Sequence, residues 1–349
     1  MSDTAHCKVL ITSPLEPYLV ERIRAVDPRL EVVFEPELIP RARYPADHRG
    51  TSLQRTVEQE DRWRDLLGSA EILFDFDITH RSDLPELAPE VRWIQGSSAG
   101  IGTLMRRERY VERLPNTLFT TASGVHSKPL AEFCLMAILA HTKQLPRMLA
   151  NQDRRKWEVF ASTDLSGRTI AIVGAGKIGI ELAHRCKAFD MEVLGVKRSV
   201  TGIRPADLHM DELHSMDNLH AVLPRAQFLV LITPHTPNTE NLIGSAELAL
   251  LPPGAYLINI GRGIALDETA LRESIIAGHL AGATLDVFRT EPLPEDSPLW
   301  RVPQILISPH TGSVTDREND YLVDLFCDNL RRYLAGERLR NVYDPQLGY

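Results

Sequence analysis

The chain predicts an α/β protein of two doubly wound parallel-sheet domains, and three observations carry the prediction. Short β-rich runs alternate with helical patterns along nearly all of the 349 residues, the signature of parallel sheets covered by helices on both faces. The length exceeds one ordinary domain and suggests two. Third, the glycine-rich stretch Gly174-Ala175-Gly176-Lys177-Ile178-Gly179 stands between an apolar run, Thr169 to Ile172, and a helical segment, Ile178 to Phe189, which is the strand-turn-helix context of a doubly wound unit. A hydrophobic content of 43% fills two cores, and 25% charged residues make an ordinary polar surface.

In the first part, strands are expected at Lys8–Thr12, Glu31–Phe34, Glu71–Phe74 and Val91–Ile94, each a short run of β-branched, aliphatic or aromatic residues. Residues 40–64 are polar, rich in Arg and interrupted by Pro40, Pro45 and Gly50. They predict an irregular excursion whose arginines are read as solvated loop charges, with contact to a substrate anion as the alternative. An apolar-periodic segment, Lys128 to Leu145, predicts a helix linking the two domains. Its most apolar part, Leu130 to Ala140, contains Glu132 and is too short to span a bilayer, so it is read as a buried helix. Beyond the glycine stretch, strands are expected at Glu192–Val196, Phe228–Leu231, Ala255–Ile260, Ala281–Asp286 and Ile305–Ile307, giving a second sheet of about six strands. Arg317 to Leu334 has helical spacing and is followed by Gly336. This helix is expected to return to the first domain and make it discontinuous. The expected boundaries are therefore residues 1–122 with 316–349 for one domain and 123–315 for the other.

A net charge of −8 argues against a general nucleic-acid or anionic-membrane partner. Met1 to His6 is polar, with no basic stretch leading into an apolar one, so no signal peptide is expected and the location is read as cytoplasmic. Cys7, Cys134, Cys186 and Cys327 are far apart and show neither a CxxC motif nor metal-ligand spacing. They are read as free, buried thiols, and no metal site is expected. Trp63, Trp93, Trp157 and Trp300 are expected in the core or at an interface.

The glycine stretch reads as a dinucleotide pyrophosphate site. Gly174 permits the sharp strand-to-helix turn, Gly176 lets the backbone approach the pyrophosphate, and Gly179 allows close helix-sheet packing. The helix N-terminus at Lys177 and Ile178 then presents N–H groups and a positive dipole end to the anion. The residue that reads the adenosine ribose is expected about 20 positions on, at the end of the next strand. An acidic residue there would repel a 2′-phosphate. The chain has Lys197, Arg198 and Ser199 instead, which suits a 2′-phosphate and predicts NADP(H) in preference to NAD(H).

Three further candidates closely follow predicted strands: Arg262 in Asn259-Ile260-Gly261-Arg262-Gly263, Glu291 in Thr290-Glu291-Pro292-Leu293, and His310 in Ser308-Pro309-His310-Thr311-Gly312. Ligands of open α/β sheets bind outside the carboxyl ends of the strands, so these three can converge. With this set in place the chain resembles the D-isomer-specific 2-hydroxyacid dehydrogenase family, which includes phosphoglycerate dehydrogenase and the glyoxylate/hydroxypyruvate reductases. The resemblance covers most of residues 70 to 335. It extends to Gly96-Ser97-Ser98-Ala99-Gly100-Ile101, Ser123-Gly124-Val125 and Ala131-Glu132-Phe133. One departure is Gly102, where family members often have Asp.

The resemblance implies a Rossmann domain inserted in a flavodoxin-like substrate domain, a homodimer, and reversible hydride transfer between NAD(P)H and a small 2-oxo acid or D-2-hydroxy acid. Glyoxylate and hydroxypyruvate are the first candidates. It implies that Arg262, with the backbone of Ser98, Ala99 and Gly100, holds the substrate carboxylate. A planar guanidinium fork suits that anion. His310 is implied as the acid/base, since an unperturbed imidazole titrates near about 6.5. Glu291, bonded to the other ring nitrogen, would orient it. Thr233, Ile260, Asp286 and Gly312 are implied as cofactor contacts, with a loop-capping Asp as the alternative for Asp286. The rival reading is a catalytically idle NAD(P)-sensing protein that recruits partners, as corepressors of this superfamily do while keeping the same trio. The chain shows no long polar tail of the composition recruitment would use.

Overall fold

The structure is a computed structural model that describes residues 7–348. The chain divides into two compact units, one running to His126 and resuming at Val314, the other spanning Ser127–Ser313.

The first unit holds β1 (Cys7–Ile11), β2 (Leu30–Val33), β3 (Ile72–Phe74), β4 (Trp93–Gln95) and β5 (Leu118–Thr120). All pair in parallel in the order β2-β1-β3-β4-β5, the flavodoxin-like order. The helix Glu318–Leu334 completes this unit. Its buried Leu322, Val323, Phe326, Cys327 and Leu330 recur at helical spacing and face the sheet. Phe326 packs edge-on to Phe74 with ring centroids 5.0 Å apart, and Asn329 Nδ2 donates to Gln95 Oε1 at 3.1 Å.

The second unit holds β6 (Thr169–Val173), β7 (Glu192–Lys197), β8 (Glu212–Ser215), β9 (Phe228–Leu231), β10 (Tyr256–Asn259), β11 (Gly282–Leu285) and β12 (Ile305–Ile307). Their order, β12-β11-β10-β9-β6-β7-β8, is all parallel. It is a Rossmann sheet extended by one strand. β6, β9 and β10 are buried throughout because helices cover both faces. On one face the helices Ser127–Thr142 and Lys177–Lys187 pack together, with small residues Ala131, Cys134 and Ala137 of the first and Ala183 and Cys186 of the second in one buried cluster.

Several expectations need correction. The segment 40–64 is not irregular throughout, because a helix, Val57–Gly68, begins inside it behind a capping box formed by Thr56 and Gln59. The linking helix stops at Thr142, and a second helix, Leu145–Asp153, follows with Pro146 in its first turn, where the missing N–H costs nothing. The second sheet has seven strands, not about six. Of the tryptophans expected in the core or at an interface, Trp63 and Trp93 are fully buried, whereas Trp157 is 96% and Trp300 53% exposed, which leaves these two the interface alternative. All four cysteines are free and buried.

Candidate active site

β6 ends in the glycine turn. Gly174 has φ +114°, and a Cβ on it would lie 2.7 Å from the Ile232 carbonyl group. Only glycine is accommodated there. The Gly174 and Ala175 amides donate to the Val196 carbonyl at 2.9 and 3.1 Å, which ties the turn to the end of β7. Lys197 closes that strand, followed by exposed Arg198 and Ser199. The sequence-predicted coenzyme-selecting residues therefore adjoin the glycine turn. A Cβ on Gly179 would come 2.7 Å from the Gly174 carbonyl oxygen, so this glycine lets the helix sit against the turn.

The Arg262 turn follows β10. Asn259, buried at the strand end, accepts the Gly261 amide at 3.1 Å and donates to the Arg262 carbonyl at 3.2 Å. Gly263 lies so close to the Phe288 and Arg289 backbone that no Cβ fits. That contact brings the Arg262 turn against the segment after β11. There the Phe288 amide donates to Glu291 Oε1 at 3.0 Å, and Glu291 Oε2 lies 2.8 Å from His310 Nδ1. The peptide bond between Glu291 and Pro292 is cis.

His310 follows β12 in a left-handed conformation, φ +56°. The turn is held from beneath by buried Asp286, at the end of β11. Asp286 Oδ1 accepts the Ser308 hydroxyl at 2.5 Å and the Thr311 and Gly312 amides, each at 2.9 Å. The loop-capping reading of Asp286 is thus present in the geometry.

Burial pushes the Glu291 carboxyl up. The His310 and Phe288 hydrogen bonds and the charges of His310 and Arg262 outweigh it and leave Glu291 below its ordinary value. Burial lowers the Arg262 guanidinium, and Glu291 partly restores it. An arginine so placed stays charged through the physiological range. The cluster is thus a cation, an anion and an imidazole at the carboxyl ends of adjacent parallel strands β10, β11 and β12, where such sheets bind ligands.

In the first unit, Ser98, Ala99 and Gly100 form a turn after β4. Gly100 donates to Ser98 Oγ at 3.1 Å, and Asp75 Oδ1 accepts the Ser97 amide at 3.1 Å. The departure at Gly102 has a local cause. A side chain there would collide with the Gly348 carbonyl.

Asn259, Ser308, Glu268 and Arg289 also shape the site but were missed in the sequence. Asn259 alone carried a signal, a polar residue closing an otherwise apolar strand. Among the described residues, no group of three or more His, Cys, Asp or Glu is placed to hold a metal ion, and no helix is long and apolar enough to cross a membrane. A dinucleotide fits the glycine edge on three counts. Gly176 has open space where a Cβ would stand, the helix at Lys177 has no side-chain cap, and Thr233 Oγ1, next to Gly174 and Gly261, is buried without a hydrogen-bond partner among the described residues.

Comparison with known proteins places the chain in a family. The chain is 35% identical over 229 residues to glyoxylate/hydroxypyruvate reductase B of Pectobacterium carotovorum, covering 64% of this chain and 70% of that protein. It is 38% identical over 217 residues to D-3-phosphoglycerate dehydrogenase of Mycobacterium tuberculosis, covering 62% of this chain but only 40% of that protein. The solved structure of a D-isomer specific 2-hydroxyacid dehydrogenase from Xanthobacter autotrophicus Py2, in complex with NADPH and MES, superposes with a TM-score of 0.75 at 26% identity, covering 98% of this chain and 100% of that one. Residues 135–312 match the family profile described as D-isomer specific 2-hydroxyacid dehydrogenase, NAD binding domain. The chain belongs to the D-isomer specific 2-hydroxyacid dehydrogenase family and is an NAD(P)-dependent oxidoreductase.

Proposed function

We propose that the protein reduces a small 2-oxo acid to the D-2-hydroxy acid, with NADPH preferred and with His310, Glu291 and Arg262 as the reacting set. The observation that carries this reading is the 2.8 Å contact between His310 Nδ1 and Glu291 Oε2 in the cluster that includes Arg262. The bound nicotinamide supplies the hydride. Arg262 receives the substrate carboxylate in its planar fork and draws electron density from the neighbouring carbonyl. Glu291 accepts a hydrogen bond from Nδ1–H and so fixes the ring orientation, which leaves Nε2–H to deliver its proton to the developing alkoxide. The Ser98–Gly100 turn is the proposed second source of carboxylate-binding amides. Lys197, Arg198 and Ser199 are proposed to bind the 2′-phosphate. Lys177, Ile178, Thr233, Ile260, Asp286 and Gly312 complete the proposed coenzyme contacts.

We further propose a homodimer built on the arm after the linking helix. The helix Leu145–Asp153 buries none of its residues, and Leu145, Met148 and Leu149 form an exposed apolar stripe. Exposed Trp157, with Met148, Asn151 and Phe160, lines a groove of about 520 Å³ on the same surface. An exposed apolar patch of this kind suits a self-complementary two-fold contact.

The test of the activity is NADPH consumption with a panel of 2-oxo acids, glyoxylate and hydroxypyruvate first. His310→Ala is expected to lower kcat by several orders of magnitude while coenzyme binding persists. Near-normal turnover in that variant rejects the role of His310, and no consumption with any acid favours the idle sensor.

A further inference from the structure

We infer that Glu268 is a positioning residue for the His310–Glu291 pair, acting by holding the backbone amide of Arg289. The inference rests on the proposed role of His310. Two consecutive amides in this turn are each held by a carboxylate. Phe288 N–H donates to Glu291 itself, and Arg289 N–H donates to Glu268 Oε1 at 2.7 Å. The Arg289 side chain adds a strut. Its Nη1 donates to Asn241 Oδ1 at 2.6 Å and lies 3.4 Å from the Ile264 and Leu266 carbonyls, in the segment that leads out of the Arg262 turn.

Glu268 is the first residue of the helix Glu268–Ile276, and that helix does not need its carboxylate as a cap. Asp267 takes the Thr269 and Ala270 amides, both at 3.0 Å. The Glu268 side chain is therefore free to reach back across to residue 289. Its placement works against its own charge. Burial pushes the carboxyl up, and Asp267 and Glu291 add to that, against the Arg289 amide and charge. A carboxylate kept there despite these neighbours fits a positional task better than a solvated one. With Gly263 packed on the Phe288 backbone, the Glu268 bond completes a closed frame in which the Arg262 and Glu291 turns move together. Releasing residue 289 frees the backbone two positions before Glu291 and loosens the direction from which Oε2 meets His310 Nδ1.

The test compares Glu268→Ala with Glu268→Gln, whose amide oxygen still accepts from Arg289 N–H. In Glu268→Ala, kcat for 2-oxo acid reduction is expected to fall roughly ten- to a hundred-fold. KM for NADPH should stay unchanged, while the pH profile of kcat should change. Glu268→Gln should recover most of the rate. A second readout needs no substrate: the downfield imidazole N–H proton resonance that disappears in His310→Gln. It should shift or broaden in Glu268→Ala and persist in Glu268→Gln. If the wild-type protein reduces no 2-oxo acid, the proposed function fails while this resonance still decides the role of Glu268. An unchanged resonance in Glu268→Ala, or equal losses in the Ala and Gln variants, overturns the inference. Should Glu268→Ala not fold, Glu268→Ser keeps a polar first-turn residue that cannot reach the amide and takes its place.

Discussion

Replacing Asp286 separates two roles that the same residue could hold, and the structure sets the scale of the effect. Its Oδ1 receives the Ser308 hydroxyl and the Thr311 and Gly312 amides. Hydrogen bonds to a charged group contribute about 1.5–3 kcal/mol each, so three independent ones would sum to roughly 4.5–9 kcal/mol. Two corrections lower this figure. Thr311 is exposed, so water replaces part of its bond in an Asp286→Ala variant. His310 also gains about 1 kcal/mol on leaving its left-handed conformation. The expected loss of stability in Asp286→Ala is therefore about 3–5 kcal/mol. As His310 drifts from Glu291, kcat should fall by about two orders of magnitude, equivalent to roughly 3 kcal/mol. Asp286→Asn keeps an oxygen toward the same donors and gives up only charge assistance, so about 1–2 kcal/mol is expected. Urea unfolding midpoints and steady-state kinetics with NADPH measure both. An Asp286→Ala protein with wild-type midpoint and kcat but a raised KM for NADPH would refute the turn-holding argument and assign Asp286 to the coenzyme alone.

Three further outcomes are expected. Lys197→Ala with Arg198→Ala should reduce kcat/KM for NADPH by roughly ten- to a hundred-fold and leave NADH nearly unaffected; equal loss with both coenzymes would remove these residues from the 2′-phosphate site. Burial pushes the thiols of Cys7 and Cys186 up to about 12, with Cys327 at about 11 and Cys134 well above its usual value. A thiol reagent at pH 8 should therefore label the folded protein slowly and the denatured protein at all four positions. Burial raises Asp47, but its bonds from Arg43 and from the Gly50 and Arg43 amides prevail and hold it well below its ordinary value. Its stabilising contribution is then complete above the unfolded Asp value of about 4 and disappears as pH falls. Asp47→Asn should flatten the acid limb of a stability-versus-pH curve, and an unaltered slope would contradict this.

How much of the fold was legible follows from what each element buries. β9 and β12 matched their sequence readings residue for residue because apolar runs between turn formers leave little choice. β8 was missed because Glu-Leu-His-Ser is an edge strand, half-exposed on every residue, with no apolar pattern to read. β5 was missed because three residues, one of them exposed, make too short a run. The helix Val57–Gly68 has only a local signal, the capping-box spacing of Thr56 and Gln59, and Pro40, Pro45 and Gly50 upstream point to irregular chain instead.

The candidate site was legible to a different depth at each layer, and the reason is range. Residues whose chemistry is their own, a guanidinium, a carboxylate and an imidazole each just past a strand, announced themselves through position. The residues that hold them did not, because their work consists of bonds to distant backbone. Glu268 meets a partner 21 positions away and Ser308 one 22 positions away. Neither spacing is periodic, and an acidic residue in a helix's first turn already has an ordinary explanation in the helix dipole. Even the Gly263 contact is invisible in sequence, since a glycine after arginine reads as a turn former, not as the point where two strand-end turns touch. Parallel strands bring their carboxyl ends side by side whatever the loops contain. The reacting groups are therefore predictable from topology, whereas the frame that sets their angles is specified by pairings that only folding creates.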